Sequence, residues 1–216
     1  MSVQSQKILL AIPMKDPREA KSRLCLALTS RQRAELAILL FLDVVACAKV
    51  ATERLPQRSI DIAVISSSPT IKTLADAQGL KWIDDTGAKG LNASLELAAS
   101  MASEDGYDFL CILPGDLADP KPCDLAQLLD YPSHSKDAVI CPSVDLGTNA
   151  LLVPLPCPIA FAYGEKSFHH HYRACIDAEL LTVVLPLSSL RRDVDTLIDL
   201  HYLQSLRPGE RFWSEA

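Results

Sequence analysis

Apolar positions recur along the chain in two alternating modes, short near-continuous runs and longer stretches with a helical period. Lys7 to Ile12 is nearly continuous and ends at Pro13, the pattern of a strand buried on both faces of a sheet. Met14 to Arg23 is a polar loop. Thr29-Ser30-Arg31-Gln32 has the spacing of a capping box, and Leu36, Leu39, Leu40, Val44 and Ala48 then carry a helix to about Arg54. A strand over Ile60–Ser66, a helix opened by Pro69 and closed by Gly79, and a strand over Leu80–Ile83 follow. Leu91–Ala102 reads as a helix, Phe109–Leu113 as a strand, Lys121–Asp130 as a helix and Ala138–Cys141 as a strand. Thr148–Val153 and Ala160–Ala162 are expected to pair as strands. Ser167 is expected to cap a helix to about Glu179, Thr182–Leu185 to return as a strand, and Thr196–Leu206 to close as a helix. No repeat or composition break marks a linker, so the pattern predicts a single α/β domain over residues 1–216: a mostly parallel central sheet with helices on both faces.

Composition narrows the partners. The 216 residues carry 27 acids against 21 Lys and Arg, a formal net charge of −6, without a basic cluster, which argues against long nucleic acid. The apolar stretches are interrupted or shorter than the roughly 20 residues a membrane span needs, and the polar N-terminus lacks a signal-peptide pattern. The expectation is no membrane and a cytoplasmic location. Seven widely spaced cysteines without a C-x-x-C pair read as reduced, mostly buried side chains.

In a sheet of this kind ligands sit beyond the carboxyl ends of the strands, so the loops after strands are where chemistry is read. The first such loop places Lys15, Lys21 and Arg23 around the hydroxyl of Ser22, a set suited to a polyphosphate and equally compatible with a solvated surface. Neither a Walker loop nor a G-x-G-x-x-G is present. Asp116 follows an apolar strand directly, and Asp193 and Asp195 occupy a later loop. Carboxylates so placed hold Mg²⁺ against phosphates or act as helix caps, and the two roles can coexist. His169, His170 and His171 are consecutive on a helix, point about 100° apart, and read as a helix face rather than a metal cluster. Ser167 after Gly164, as a helix cap, would offer N–H groups to a phosphate or carboxylate, and Gly147-Thr148-Asn149 would add donors or form a plain turn. An apolar patch near Phe161 or Trp213 could support a homodimer.

Ile12-Pro13-Met14-Lys15 with Ala20-Lys21-Ser22-Arg23-Leu24, then Gly90-Leu91-Asn92, Gly115-Asp116-Leu117, Gly147-Thr148-Asn149-Ala150-Leu151, Tyr163-Gly164-x-x-Ser167-Phe168 and Asp193-Val194-Asp195-Thr196, in this order and spacing, resemble the 2-phospho-L-lactate guanylyltransferase family. The resemblance runs from about residue 8 to residue 201. It implies a nucleotide-diphospho-sugar transferase fold and transfer of GMP from GTP to a small phosphorylated carboxylic acid, with pyrophosphate released, in biosynthesis of the deazaflavin coenzyme F(420). The acids used in the family are phosphoenolpyruvate, 3-phospho-D-glycerate and 2-phospho-L-lactate. Carried over residue by residue, the resemblance implies Lys21 and Arg23, with Lys15 and Ser22, at the GTP phosphates, and Gly90 and Asn92 on the guanosine side. It implies Mg²⁺ held by Asp116, Asp193 and Asp195, and the acceptor held by Thr148, Gly164 and Ser167. Two departures stand out: Ala118 follows Leu117 where the family shows Pro, and Val144-Asp145-Leu146 replaces a Gly-rich approach to Gly147. The second tilts the expectation toward phosphoenolpyruvate or 3-phospho-D-glycerate. The alternatives are another nucleotidyltransferase of the fold, of sugar-phosphate or molybdopterin type, a glycosyltransferase, and a nucleotide-binding regulator without turnover.

Overall fold

The computed structural model describes residues 6–213. Strands β1 (Lys7–Pro13), β2 (Ser59–Ile65), β3 (Lys81–Ile83), β4 (Phe109–Ile112), β5 (Asp137–Pro142), β6 (Thr148–Pro154) and β7 (Leu181–Val184) form one sheet in the order β3-β2-β1-β4-β6-β5-β7. Every neighbouring pair is parallel except those made by β6, which runs antiparallel to both β4 and β5. Helices α1 (Ser30–Glu53), α2 (Pro69–Ala77), α3 (Leu91–Glu104), α4 (Pro122–Asp130), α5 (Ser167–Asp177) and α6 (Leu197–Leu206) complete the element order.

Strand β1 shows why the sheet is covered on both sides. Its alternating Ile8, Leu10 and Ile12 pack into one buried cluster with Phe41, Val44 and Val45 of α1 and Leu125 and Leu128 of α4. Leu9 and Ala11 join a second cluster with Leu95 and Ala98 of α3 and Cys175 of α5. A strand with no polar face must be sandwiched in this way. The capping box predicted at Thr29 is present, with Gln32 N–H donating to the Thr29 hydroxyl and Gln32 Oε1 accepting from Thr29 N–H.

Two expectations are corrected. Ala160–Ala162 is not a strand, because the backbone N–H groups of Phe161, Ala162 and Tyr163 donate to side chains of Glu96, His171 and Asn92 instead of a ladder. Thr148–Val153 pairs with β4 and β5 in its place. Phe161 is buried in the second cluster, so no apolar patch surrounds it. The polar loop after β1 contains two single 3-10 turns, Pro17–Glu19 and Ser22–Leu24. All seven cysteines are free, four of them buried. No helix of the described residues is long and apolar enough to cross a membrane.

A third, smaller cluster positions the site. Leu24, just past the first loop, and Val194, between the two late aspartates, pack with Leu36 and Leu40 of α1 and Leu200 and Leu203 of α6. Two loops far apart in sequence are therefore fixed to one apolar anchor.

Candidate active site

A cleft of about 900 Å³ opens over the carboxyl ends of β1, β2, β3 and β4, at the point where the strand order reverses between β1 and β4. Lys15, Lys21, Ser22 and Arg23 line it from the first loop, Gly90 from the start of α3, and Asp116 and Asp195 from the far wall. Gly115 packs closely: a Cβ there would lie 3.2 Å from Met14 Sδ and 3.4 Å from Ile12 Cγ2. Asp116 follows it, four residues past the end of β4.

Residues 116–118 pair with residues 192–194. Leu117 and Asp193 form an isolated antiparallel bridge, Ala118 N–H donates to Arg192 O at 2.9 Å, and Val194 N–H donates to Asp116 O at 3.1 Å. This pairing delivers three carboxylates to one place. One oxygen each of Asp116, Asp193 and Asp195 can be chosen so that all lie within 4.8 Å of one another. Such a cluster of hard anionic oxygens fits a divalent cation such as Mg²⁺.

Lys21 is the counter-ion. Its backbone is left-handed at φ 55°, and its side chain is 3% exposed with Nζ 2.5 Å from Asp116 Oδ2 and 3.0 Å from Asp195 Oδ1. Burial works against its charge, but Asp116 and Asp195 outweigh it and raise its pKa. Asp193 is the opposite case. Burial, reinforced by the charges of Asp116 and Asp195, pushes its carboxyl up to about 6. Arg23 is 74% exposed and 3.6 Å from Asp195. Helix α6 is capped by Thr196, whose hydroxyl accepts from Asp199 N–H, so neither Asp193 nor Asp195 serves as its cap.

The model of the family described as "Guanylyl transferase CofC like" matches residues 7–204. The chain belongs to this family. It is 32% identical to the 3-phospho-D-glycerate guanylyltransferase of Colwellia psychrerythraea over 91% of this chain and 91% of that protein. It is 34% identical to the phosphoenolpyruvate guanylyltransferase of Chloroflexus aggregans over 86% of this chain and 91% of that protein. A crystal structure described as a putative nucleotide-diphospho-sugar transferase from Desulfovibrio desulfuricans superposes with a TM-score of 0.70 and 20% identity, covering 97% of this chain and 90% of that one. The α/β architecture is thus that of the nucleotide-diphospho-sugar transferases.

In this guanylyl transferase the residues named for the acceptor form a separate polar cluster that does not line the large cleft. Thr148 and Ser167 are buried, and Ser167 Oγ donates to Thr148 Oγ1 at 3.2 Å. Ser167 is not a cap: Lys166, left-handed at φ 55°, occupies that position, and Ser167 is the first helical residue with its hydroxyl turned inward. Gly164 is exposed with φ 148° in the turn before α5. Asn92 leaves the cleft as well, its amide accepting from Tyr163 N–H at 2.8 Å and donating to Tyr163 O at 3.3 Å.

The sequence reading missed His171. It is fully buried, its Nε2 accepts from Ala162 N–H at 2.9 Å, and its Nδ1 lies 2.9 Å from Thr148 Oγ1. An acceptor at Nε2 requires the proton on Nδ1, so His171 donates to Thr148 and holds its hydroxyl in place. Burial, with a lesser contribution from His170, pulls its pKa down to about 4 and keeps it neutral. Only its spacing from Ser167, one helical turn away, could have separated it from its exposed neighbours His169 and His170. Asn149 Nδ2 and Tyr163 Oη are buried without a hydrogen-bond partner, two polar atoms left open close in sequence to Thr148 and Gly164.

Proposed function

We propose that the protein transfers GMP from GTP to a small phosphorylated carboxylic acid, phosphoenolpyruvate or 3-phospho-D-glycerate ahead of 2-phospho-L-lactate, and releases pyrophosphate. The observation that carries the reading is the pairing of Lys21 with the Asp116–Asp193–Asp195 cluster at one end of a nucleotide-sized cleft. Family membership and the names of the relatives support the reaction class and the kind of acid. The same family membership supports a place in coenzyme F(420) biosynthesis, in the cytosol.

The difficulty of the reaction is electrostatic, because a phosphate oxygen already anionic at neutral pH must approach the α-phosphorus of a triphosphate. No general base is needed. Lys15, Lys21 and Arg23 bind and orient the triphosphate, and α-phosphate charge is met by the buried ammonium of Lys21. Asp116, Asp193 and Asp195 would hold Mg²⁺, which when bound supplies further neutralisation of the triphosphate. In the Thr148–Ser167–His171 cluster, Ser167 and His171 donate to Thr148 and leave its hydroxyl proton for the acid's carboxylate or phosphate, and Asn149 adds an open amide donor. The exposed apolar side chains of Leu197, Ile198 and Tyr202 on α6 support a homodimer, which light scattering on the purified protein tests: a monomer mass removes it.

The test of the reaction is pyrophosphate release from GTP with each acid, for the wild type and Asp116→Asn. Release that requires the acid and falls at least about a hundredfold in the variant supports the reading. Equal release from the variant refutes it.

A further inference from the structure

We propose that Asp85 reads the base of the nucleotide, its carboxylate accepting the two adjacent N–H donors on the Watson–Crick edge of guanine. The proposal rests on the guanylyl-donor reading above and deepens it.

Asp85 lies in the loop between β3 and α3 and lines the cleft beside Gly87, Gly90 and Ser94. Its Oδ2 accepts from Ser94 Oγ at 2.7 Å, which fixes the carboxylate plane against α3. Its Oδ1 is buried and has no hydrogen-bond partner, and no lysine or arginine pairs with the group among the described residues. A buried carboxylate oxygen without a donor is unfavourable and needs an explanation, and a ligand that brings one supplies it. The ligand part at this end is not a phosphate. The cations of the cleft stand on the loop after β1, and β1 lies two strand spacings from β3, about 10 Å, a distance on the scale of a nucleotide laid across the strand ends. An anion beside an unpaired carboxylate would be repelled, so the complement is a neutral group rich in donors.

Among the common bases guanine alone presents two neighbouring donors, N1–H and the 2-amino group. Adenine and cytosine present one donor beside an acceptor, and uracil one donor between two acceptors. An ionised carboxylate is an acceptor only, so it accepts both guanine donors and repels the acceptors of the other bases. Ser94 is a positioning residue in this account, because its hydroxyl holds Oδ2.

The experiment is calorimetric titration of the full chain with GTP and with inosine triphosphate, which keeps N1–H, ribose and phosphates and lacks only the 2-amino group. The wild type is expected to bind GTP at least about tenfold more tightly than inosine triphosphate, and Asp85→Asn to bind the two within about twofold. Ser94→Ala, which keeps the carboxylate and frees its plane, is expected to fall between them and keeps the test open if Asp85→Asn does not fold. Equal binding of the two nucleotides by the wild type overturns the proposal. So does an undiminished GTP preference in Asp85→Asn, which would place Asp85 at the ribose or in a structural role. Binding is measured without any acid, so a failure of GMP transfer would sink the reaction assigned above while this ratio still decides the base reader.

Discussion

The ammonium of Lys21 sits 2.5 Å from Asp116 Oδ2, closing a contact across 95 residues of chain between the first loop and the end of β4. It makes Lys21 the charge beside which three carboxylates gather, and in the reaction proposed above the same ammonium meets phosphate.

Lys21→Ala is therefore expected to lower both activity and stability. Removing a buried cation leaves Asp116 and Asp195 uncompensated, a cost of about 1–3 kcal/mol because both carboxylates keep some solvent. Thermal unfolding with and without Mg²⁺ checks this: the variant should melt lower and regain more stability from the cation than the wild type does.

Arg23→Ala should behave differently. Its guanidinium is 74% exposed and its ion pair with Asp195 is long, so stability should change by less than about 0.5 kcal/mol while KM for GTP rises. A large fall in melting temperature with unchanged kinetics would assign Arg23 to the fold rather than to the nucleotide.

His171 sets a pH dependence. Its pKa falls from 6.5 in the unfolded chain to about 4 in the fold, so between these values the unfolded state binds the extra proton. The stability contributed by the neutral ring is complete above about pH 6.5 and is lost progressively as pH falls toward 4, by on the order of 3 kcal/mol. Protonation also removes the Nε2 acceptor from Ala162. Denaturant unfolding at pH 7 and pH 5 should show a smaller loss on acidification in His171→Gln than in the wild type.

Asn92→Ala tests which side of the site the residue serves. Its two hydrogen bonds to the Tyr163 backbone hold the segment that leads to Gly164 and α5. The variant should lose about 1–2 kcal/mol and raise KM for the acid more than KM for GTP. The reverse pattern would return Asn92 to the nucleoside.

Much of the site was legible because it lies at strand ends. The apolar run of β1 and the capping box at Thr29 bracket the cationic loop, and Asp116 lies in the loop that follows β4, so a strand-end rule finds Lys21 and Asp116 without a fold in hand. What local pattern could not supply is pairing across the chain. The Leu117–Asp193 bridge and the shared packing of Leu24 with Val194 join segments with no local signal of contact. The antiparallel insertion of β6 escaped for the same reason, since a fully buried strand looks alike in either direction. Ser167 misled because Ser before an apolar period is the ordinary sign of a cap, whereas here a left-handed Lys166 takes the cap and turns the hydroxyl inward to Thr148.

The most direct test of the central claim is a competition of phosphoenolpyruvate, 3-phospho-D-glycerate and 2-phospho-L-lactate in one reaction with GTP and Mg²⁺, with the guanylylated products read by mass and pyrophosphate measured in parallel. These acids differ only by small groups, and a pocket separates such differences by only about 1–3 kcal/mol, so overlapping use is expected. The predicted result is pyrophosphate matched by GMP adducts in which phosphoenolpyruvate or 3-phospho-D-glycerate predominates. A predominance of the 2-phospho-L-lactate adduct would contradict the acceptor preference, and the absence of an adduct from all three would contradict the reaction itself.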